Sequence, residues 1–204
     1  MTTSTTSIER EIKNQFAKFF EECDWATFKK ASDYFFESAA KLLTKDIRFC
    51  KDHLKLLRRN STKRLYIGIG TELLLKAVYL KNGFCINKPK RNSVNPNNYP
   101  FRLANVNRQD FKDDDTLSLN QLIEKLSIVE SDYSDINAIL KGLKIAKVFR
   151  NKEGHVVLPW HDFEPQNYVD IEKSIISIYK TSFSEDLDIK IAMANGDRPL
   201  FEIK

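Results

Sequence analysis

The stretch IGIGTELLLKAVYLKNGF, residues 67–84, decides how the rest of the chain has to fold. Its apolar residues fall on nearly every side of a helix rather than along one stripe, and such a helix is stable only when other elements surround it. Glu72 and Lys76 interrupt the greasiest run, 65–80, which is also too short to span a bilayer comfortably. The stretch therefore reads as the core of a buried helix over 62–82. Gly68 and Gly70 lack side chains where a neighbouring helix can come close. Glu72 and Lys76 stand four apart, the spacing of an intrahelical ion pair; the alternative is that Glu72 borders an active pocket and orients Arg150 or His155.

A buried helix needs partners, and the flanking sequence supplies them. Residues 8–21 place Ile8, Ile12, Phe16, Phe19 and Phe20 on one side of a first helix, behind a Ser/Thr tail over 1–7 that reads as frayed. Asp24 is a good N-cap for a run from Trp25 to about Arg59, in which Phe28, Phe35, Ala39, Leu42, Ile47, Leu54 and Leu57 keep an apolar stripe. Another side of that run carries Lys41, Lys45, Arg48, Lys55 and Arg59. Two readings stand: a solvated face, or a track for phosphate groups. Leu117–Val129 reads as a short helix, 135–152 as a helix capped by Asp132 or Ser134, and 166–182 as the last helix. The tail alternates around Asn195-Gly196 like a small hairpin.

Residues 84–116 have a different character. NKPKRNSVNPNNYP reads as a long loop. Lys88, Lys90, Arg91, Arg102 and Arg108 occur there without an acid between Ile86 and Gln109, with Tyr99 and Phe101 interleaved. Stacking aromatics beside cations suit single-stranded nucleic acid; a solvated insertion anchored by its aromatics is the plainer alternative. DFKDDD then reverses the charge locally.

The expectation is an all-α bundle of about five principal helices with a small C-terminal β-hairpin. It forms a single domain over 1–204, with 84–116 a basic Asn/Pro-rich loop insertion and 185–204 the hairpin tail. With 204 residues the chain can bury a sizeable core, and only six Gly and six Pro favour helices over a sandwich or barrel. A net charge of +5 is compatible with a polyanionic partner. The three cysteines, Cys23, Cys50 and Cys85, lack paired metal spacing and read as reduced thiols of a cytoplasmic protein. The N-terminal residues hold no apolar signal segment, and no membrane association is expected.

Chemistry concentrates in FRNKEGHVVLPW, residues 149–160, where Arg150, Asn151 and His155 lie within one helical turn and a bend. Gly154 reads as the helix terminator. In an unbroken helix, residues five apart point about 140° from each other; a bend at Gly154 brings Arg150 and His155 back toward one pocket. A guanidinium matches phosphate oxygens, and an imidazole moves protons near neutral pH. Together they suit RNA cleavage by the neighbouring 2′-hydroxyl, with His155 as acid or base and Arg150 stabilising charge on phosphorus. No metal or cofactor is required. Arg48 and His53 repeat the spacing, but inside a helical pattern with no breaker.

At Arg150, Asn151 and His155 the chain resembles the HEPN superfamily (higher eukaryote and prokaryote nucleotide-binding domains), whose motif is an Arg, a polar residue, a short spacer and a His. Residues 67–84 look like that family's buried helix with its Glu and Lys. The helical parts, roughly 24–82 and 130–182, look family-like; the ends and 84–116 do not. Lys152, Glu153 and Gly154 depart from the small and apolar residues often found in the spacer. The resemblance implies a metal-independent endoribonuclease leaving a cyclic phosphate. It also implies a homodimer with the two motifs facing each other, and a toxin or anti-phage effector with an antitoxin or other defence protein as partner. Arg150, Asn151 and His155 are then catalytic, with Glu72 and Lys76 as site support and Lys41, Lys45, Arg48, Lys88, Lys90, Arg91 and Arg102 as RNA-binding residues. Two alternatives remain. One is a non-catalytic member binding nucleic acid, nucleotide or a partner protein; the other is a helical scaffold in which Arg150 pairs with a carboxylate.

Overall fold

The computed structural model describes residues 3–42, 53–155, 164–187, 193–194 and 198–199. The fold is predominantly α-helical, as expected. Among the described residues the order is α1 (Thr3–Glu21), α2 (Trp25–Lys41), α3 (His53–Lys81), β1 (Asn87–Pro89), β2 (Phe111–Thr116), α4 (Leu119–Glu124), α5 (Leu126–Val129), α6 (Ile136–His155), α7 (Pro165–Ile178), β3 (Met193–Ala194) and β4 (Arg198–Pro199). Contacts gather the chain into two compact units. One comprises Met1–Lys29 and Leu74–Ser131, the other Lys30–Leu73 and Asp132–Lys204.

Several boundaries differ from the sequence reading. Helix α1 begins at Thr3, so part of the expected frayed tail is helical; Ser and Thr are only modestly poorer helix formers than the residues behind them. The expected helix from Trp25 to Arg59 ends at Lys41, and α3 runs unbroken from His53 through Asn60, Ser61 and Thr62. Those polar residues do not stop it because the Thr62 hydroxyl donates to the Arg58 carbonyl at 2.8 Å, one turn back inside the helix. Asp24 caps α2 as expected, accepting from the Thr27 N–H at 3.2 Å. The cap of α6 is Asp135, which accepts from the Ala138 N–H at 3.0 Å, not Asp132 or Ser134.

In the first unit the C-terminal end of α3 closes with a Schellman motif. Gly83 has φ 74°, the Phe84 N–H reaches the Tyr79 carbonyl at 2.8 Å and the Gly83 N–H reaches Leu80 at 2.9 Å. The segment 84–116, read above as loop, instead holds an antiparallel ribbon with Asn87 opposite Thr116 and Pro89 opposite Phe111. Pro89 and the acid string of β2 hid these strands, because both residue classes are depleted in strands. Phe111, Phe101 and Cys85 form the ribbon's buried centre, and Phe20 of α1 meets Phe111 with ring centroids 5.6 Å apart. Burial pushes the Cys85 thiol up to about 12, so it stays protonated. The single short helix expected over Leu117–Val129 is two, interrupted at Lys125, with a Ser118–Gln121 capping box at its start.

In the second unit α6 packs along α7. A Cβ at Gly142 would lie 2.4 Å from the Asp170 carbonyl oxygen, so a side chain there has no room. Phe149 and Tyr168 stack across the same pair with centroids 5.0 Å apart. On the other side of the unit, Ser32 of α2 donates to the Gly70 carbonyl of α3 at 2.8 Å, and the Tyr179 hydroxyl donates to Asp33. The expected tail hairpin is present as β3 paired antiparallel with β4.

Candidate functional site

Gly68 decides where Arg150 goes. A Cβ built on Gly68 would lie 2.6 Å from Arg150 Cβ and 2.8 Å from Arg150 Cα, so α6 crosses α3 backbone to backbone at this point. Glu72 follows Gly68 by one turn of α3 and therefore lies on the same face. Its carboxylate takes the guanidinium: Arg150 Nε is 2.5 Å from Glu72 Oε2, with the Glu72 side chain 11% exposed and that of Arg150 41% exposed. The arginine is thus held from behind by a nearly buried acid while part of its fork faces solvent. Asn151 and Lys152 beside it are exposed.

Lys76, the other expected support residue, goes to the first unit, where its ammonium lies 6.0 Å from the Phe28 ring centroid. Helix α6 does not bend or end at Gly154 but continues to His155. The expected bend is therefore absent. A glycine inside a helix costs only about 1 kcal/mol relative to alanine, so a single glycine does not by itself end one. In an α-helix, backbone positions 150 and 155 lie about 140° apart around the axis and roughly 7.5 Å apart along it. The side chains of Glu153, Gly154 and His155 lie outside the described residues, as do His161 and Asp162. Glu164 is described, and its N–H donates to Asn167 Oδ1 at 3.1 Å as α7 begins.

Two buried cations escaped the sequence reading. Lys63 and Arg64, each 1% exposed, lie on the α3 turn preceding Gly68. Burial pushes the Lys63 ammonium down to about 8, with Glu172 opposing the shift. Lys63 Nζ has no hydrogen-bond partner among the described residues. Little in the sequence signalled this, because Lys63 and Arg64 directly follow the polar run Arg58–Thr62 and read as part of it; such residues are almost never fully buried unless paired.

The residues expected to bind RNA separate into distinct groups. Lys41 is exposed and pairs loosely with Glu37 at 3.8 Å; Lys45 and Arg48 lie outside the described residues. In the ribbon, Lys88 pairs with Asp115 at 2.9 Å and holds that carboxyl below its usual range. Lys90 donates to the Gln109 carbonyl at 2.7 Å. Arg108 pairs with Glu21 at 2.5 Å and lies 3.6 Å from Asp113. The acids of β2 thus neutralise much of the basic run that precedes them. Arg91 and Arg102 are exposed, and no acid among the described residues pairs with either. Arg102 instead covers the Phe84 ring, with its guanidinium carbon 4.5 Å from the centroid.

Among the described residues no three His, Cys, Asp or Glu side chains group as metal ligands would, and no helix is long and apolar enough to cross a membrane. The chain matches no family model, no curated protein and no solved structure.

Proposed function

We propose that the protein is an endoribonuclease that cleaves RNA by attack of the 2′-hydroxyl on the adjacent phosphorus. The observation that carries the reading over a plain scaffold is exposure: Arg150 pairs with the nearly buried Glu72 carboxylate, yet its own side chain is 41% exposed, beside the exposed Asn151. An arginine fixed in this way stabilises charge developing on a phosphoryl group without having to be ordered first. Lys63 and Arg64 add positive charge on the neighbouring turn of α3.

In the reaction a base takes the proton of the 2′-hydroxyl, the oxygen forms a bond to phosphorus, and the bond to the 5′-oxygen breaks. An acid returns a proton to that leaving oxygen, and a 2′,3′-cyclic phosphate remains. His155, the last residue of α6, is the proton-transfer residue in this scheme. Because an unbroken α6 directs Arg150 and His155 to different sides, the arrangement suits a composite site. In it, Arg150 of one protomer works with His155 of a second copy.

That same unbroken helix favours a second reading. If each chain acts alone, Arg150 is a phosphate-binding residue without a proton-transfer partner, and the protein is a non-catalytic module that binds nucleic acid. The test is incubation of the protein with total RNA in excess EDTA, beside Arg150→Ala and His155→Ala. Cutting by the parent alone, with cyclic-phosphate ends, supports the enzyme. Mixing the two inactive variants restores about a quarter of the sites if the centre is composite. Binding without cutting in a folded parent establishes the module instead.

A further inference from the structure

In the first unit the connection between β1 and β2, with Phe84 and Ile128, lines a solvent-open cavity of about 460 Å³, within the size range of small-ligand sites. Phe84, Tyr99 and Phe101 supply its aromatic wall, and Arg102 its positive charge. None of the residues lining it is acidic, which sets it apart from the neighbouring run where Lys88 and Arg108 are neutralised. The wall is held in place before any ligand arrives. Tyr99 donates to the Gln121 carbonyl at 2.7 Å, and its ring meets Phe101 edge-on at 5.9 Å. Arg102 already lies over Phe84, so its guanidinium is a flat, exposed cation backed by a ring. At the rim stands Ile128, 56% exposed and among the few large apolar side chains left in solvent. Asn98 and Asn105 line the same space and offer amides for the edge of a polar ring.

A flat apolar face, a hydrogen-bonding edge and one negative charge are the features that complement these groups. We propose that this cavity seats one unstacked nucleotide of a single-stranded RNA, with its base against the Arg102 guanidinium and Ile128 and its phosphate drawn to Arg102. Stacking on an aromatic or guanidinium plane tolerates any base, so the site gives grip rather than sequence choice. The choice of RNA rests on the function proposed above; the cavity itself does not use Arg150 or His155.

The test measures binding of the full-length protein to a short single-stranded RNA carrying 2′-O-methyl groups. That RNA lacks the attacking hydroxyl, so binding is read apart from cleavage. Arg102→Ala is expected to weaken binding about tenfold and to lower the salt dependence by about 0.7 in slope, one phosphate contact on a single strand. Ile128→Ser is expected to weaken binding several-fold without changing the slope, and Lys18→Ala, at an exposed cation of α1 that does not line the cavity, to leave both unchanged. All three side chains are exposed, so the fold is retained. The proposal is overturned if neither Arg102→Ala nor Ile128→Ser weakens binding, if Lys18→Ala loses as much as Arg102→Ala, or if the parent does not bind. Arg102-dependent binding by a protein that leaves unmodified RNA intact keeps the cavity and removes the nuclease. Cutting with binding indifferent to Arg102 and Ile128 does the reverse.

Discussion

Arg150 and Arg102 illustrate two ways of fixing a guanidinium. Arg150 sits where two helices touch backbone to backbone and is oriented by a nearly buried carboxylate, so its direction is set by packing and charge together. Arg102 lies at the edge of a short ribbon and is oriented by the face of an aromatic ring, with no acid partner among the described residues. The first arrangement gives a precise position at the cost of part of the donor fork. The second leaves every donor available but relies on a weaker contact, worth about 0.5–1 kcal/mol at an exposed site. A precisely held cation suits chemistry on phosphorus; a loosely held one suits binding.

The largest effect that breaks this contrast should come from the crossing itself. Gly68→Ala forces a methyl against the Arg150 backbone, and Gly142→Ala forces one against the Asp170 carbonyl. Each is expected to cost about 1–3 kcal/mol in denaturant unfolding, even after alanine's better helix propensity. Gly70→Ala serves as the comparison, because there the new methyl meets the buried Phe36 ring, a side chain rather than backbone. Equal losses at all three positions would mean that the backbone contact at Gly68 is not special.

The ion pair comes next. Glu72→Gln keeps the shape and removes the charge, at an expected cost of about 1–2 kcal/mol. Removing the aiming carboxylate should also depress RNA cleavage nearly as far as Arg150→Ala does. Full activity in Glu72→Gln would reduce the pair to a structural contact. The corresponding change at the other arginine, Arg102→Ala, should shift stability by no more than about 0.5 kcal/mol, since exposed surface substitutions rarely do more.

A pH scan sharpens the picture of α3. The Lys63 ammonium titrates near 8 in the folded protein, below its value of 10.5 in a free chain. Between those values the unfolded chain binds more protons than the folded one, so this residue makes stability rise as pH climbs from about 8 to 10. Below pH 8 both states carry the proton and the penalty is at its full size. Lys63→Met should abolish that rise, measured as unfolding midpoint against pH, and should leave the protein at least as stable at pH 7. The raised hydroxyls of Tyr99 and Tyr179 act in the opposite sense, but only above pH 10.

The helical class was legible because periodicity is local: the all-round apolar run of α3, the Asp24 cap and the stripes of α6 and α7 can each be read from a few neighbouring residues. The candidate motif at Arg150 was legible in the same way, as a basic residue near a helix end. Its surroundings were not. Glu72 could be read either as a partner of Lys76 or as a residue orienting Arg150 or His155, and only the fold brings Arg150, 78 positions later, to its carboxylate; the neutralisation of Lys88 by Asp115 likewise depends on a strand pairing between short, polar, proline-containing segments. The helix boundary was read too short, since α6 includes Gly154 and runs to His155, and a lone glycine is a weak breaker. By itself, then, the sequence determined the helical architecture, the tail hairpin and the identity of the reactive residue types. Only the tertiary structure decided which cations keep their charge available, because that depends on which acids the fold brings beside them.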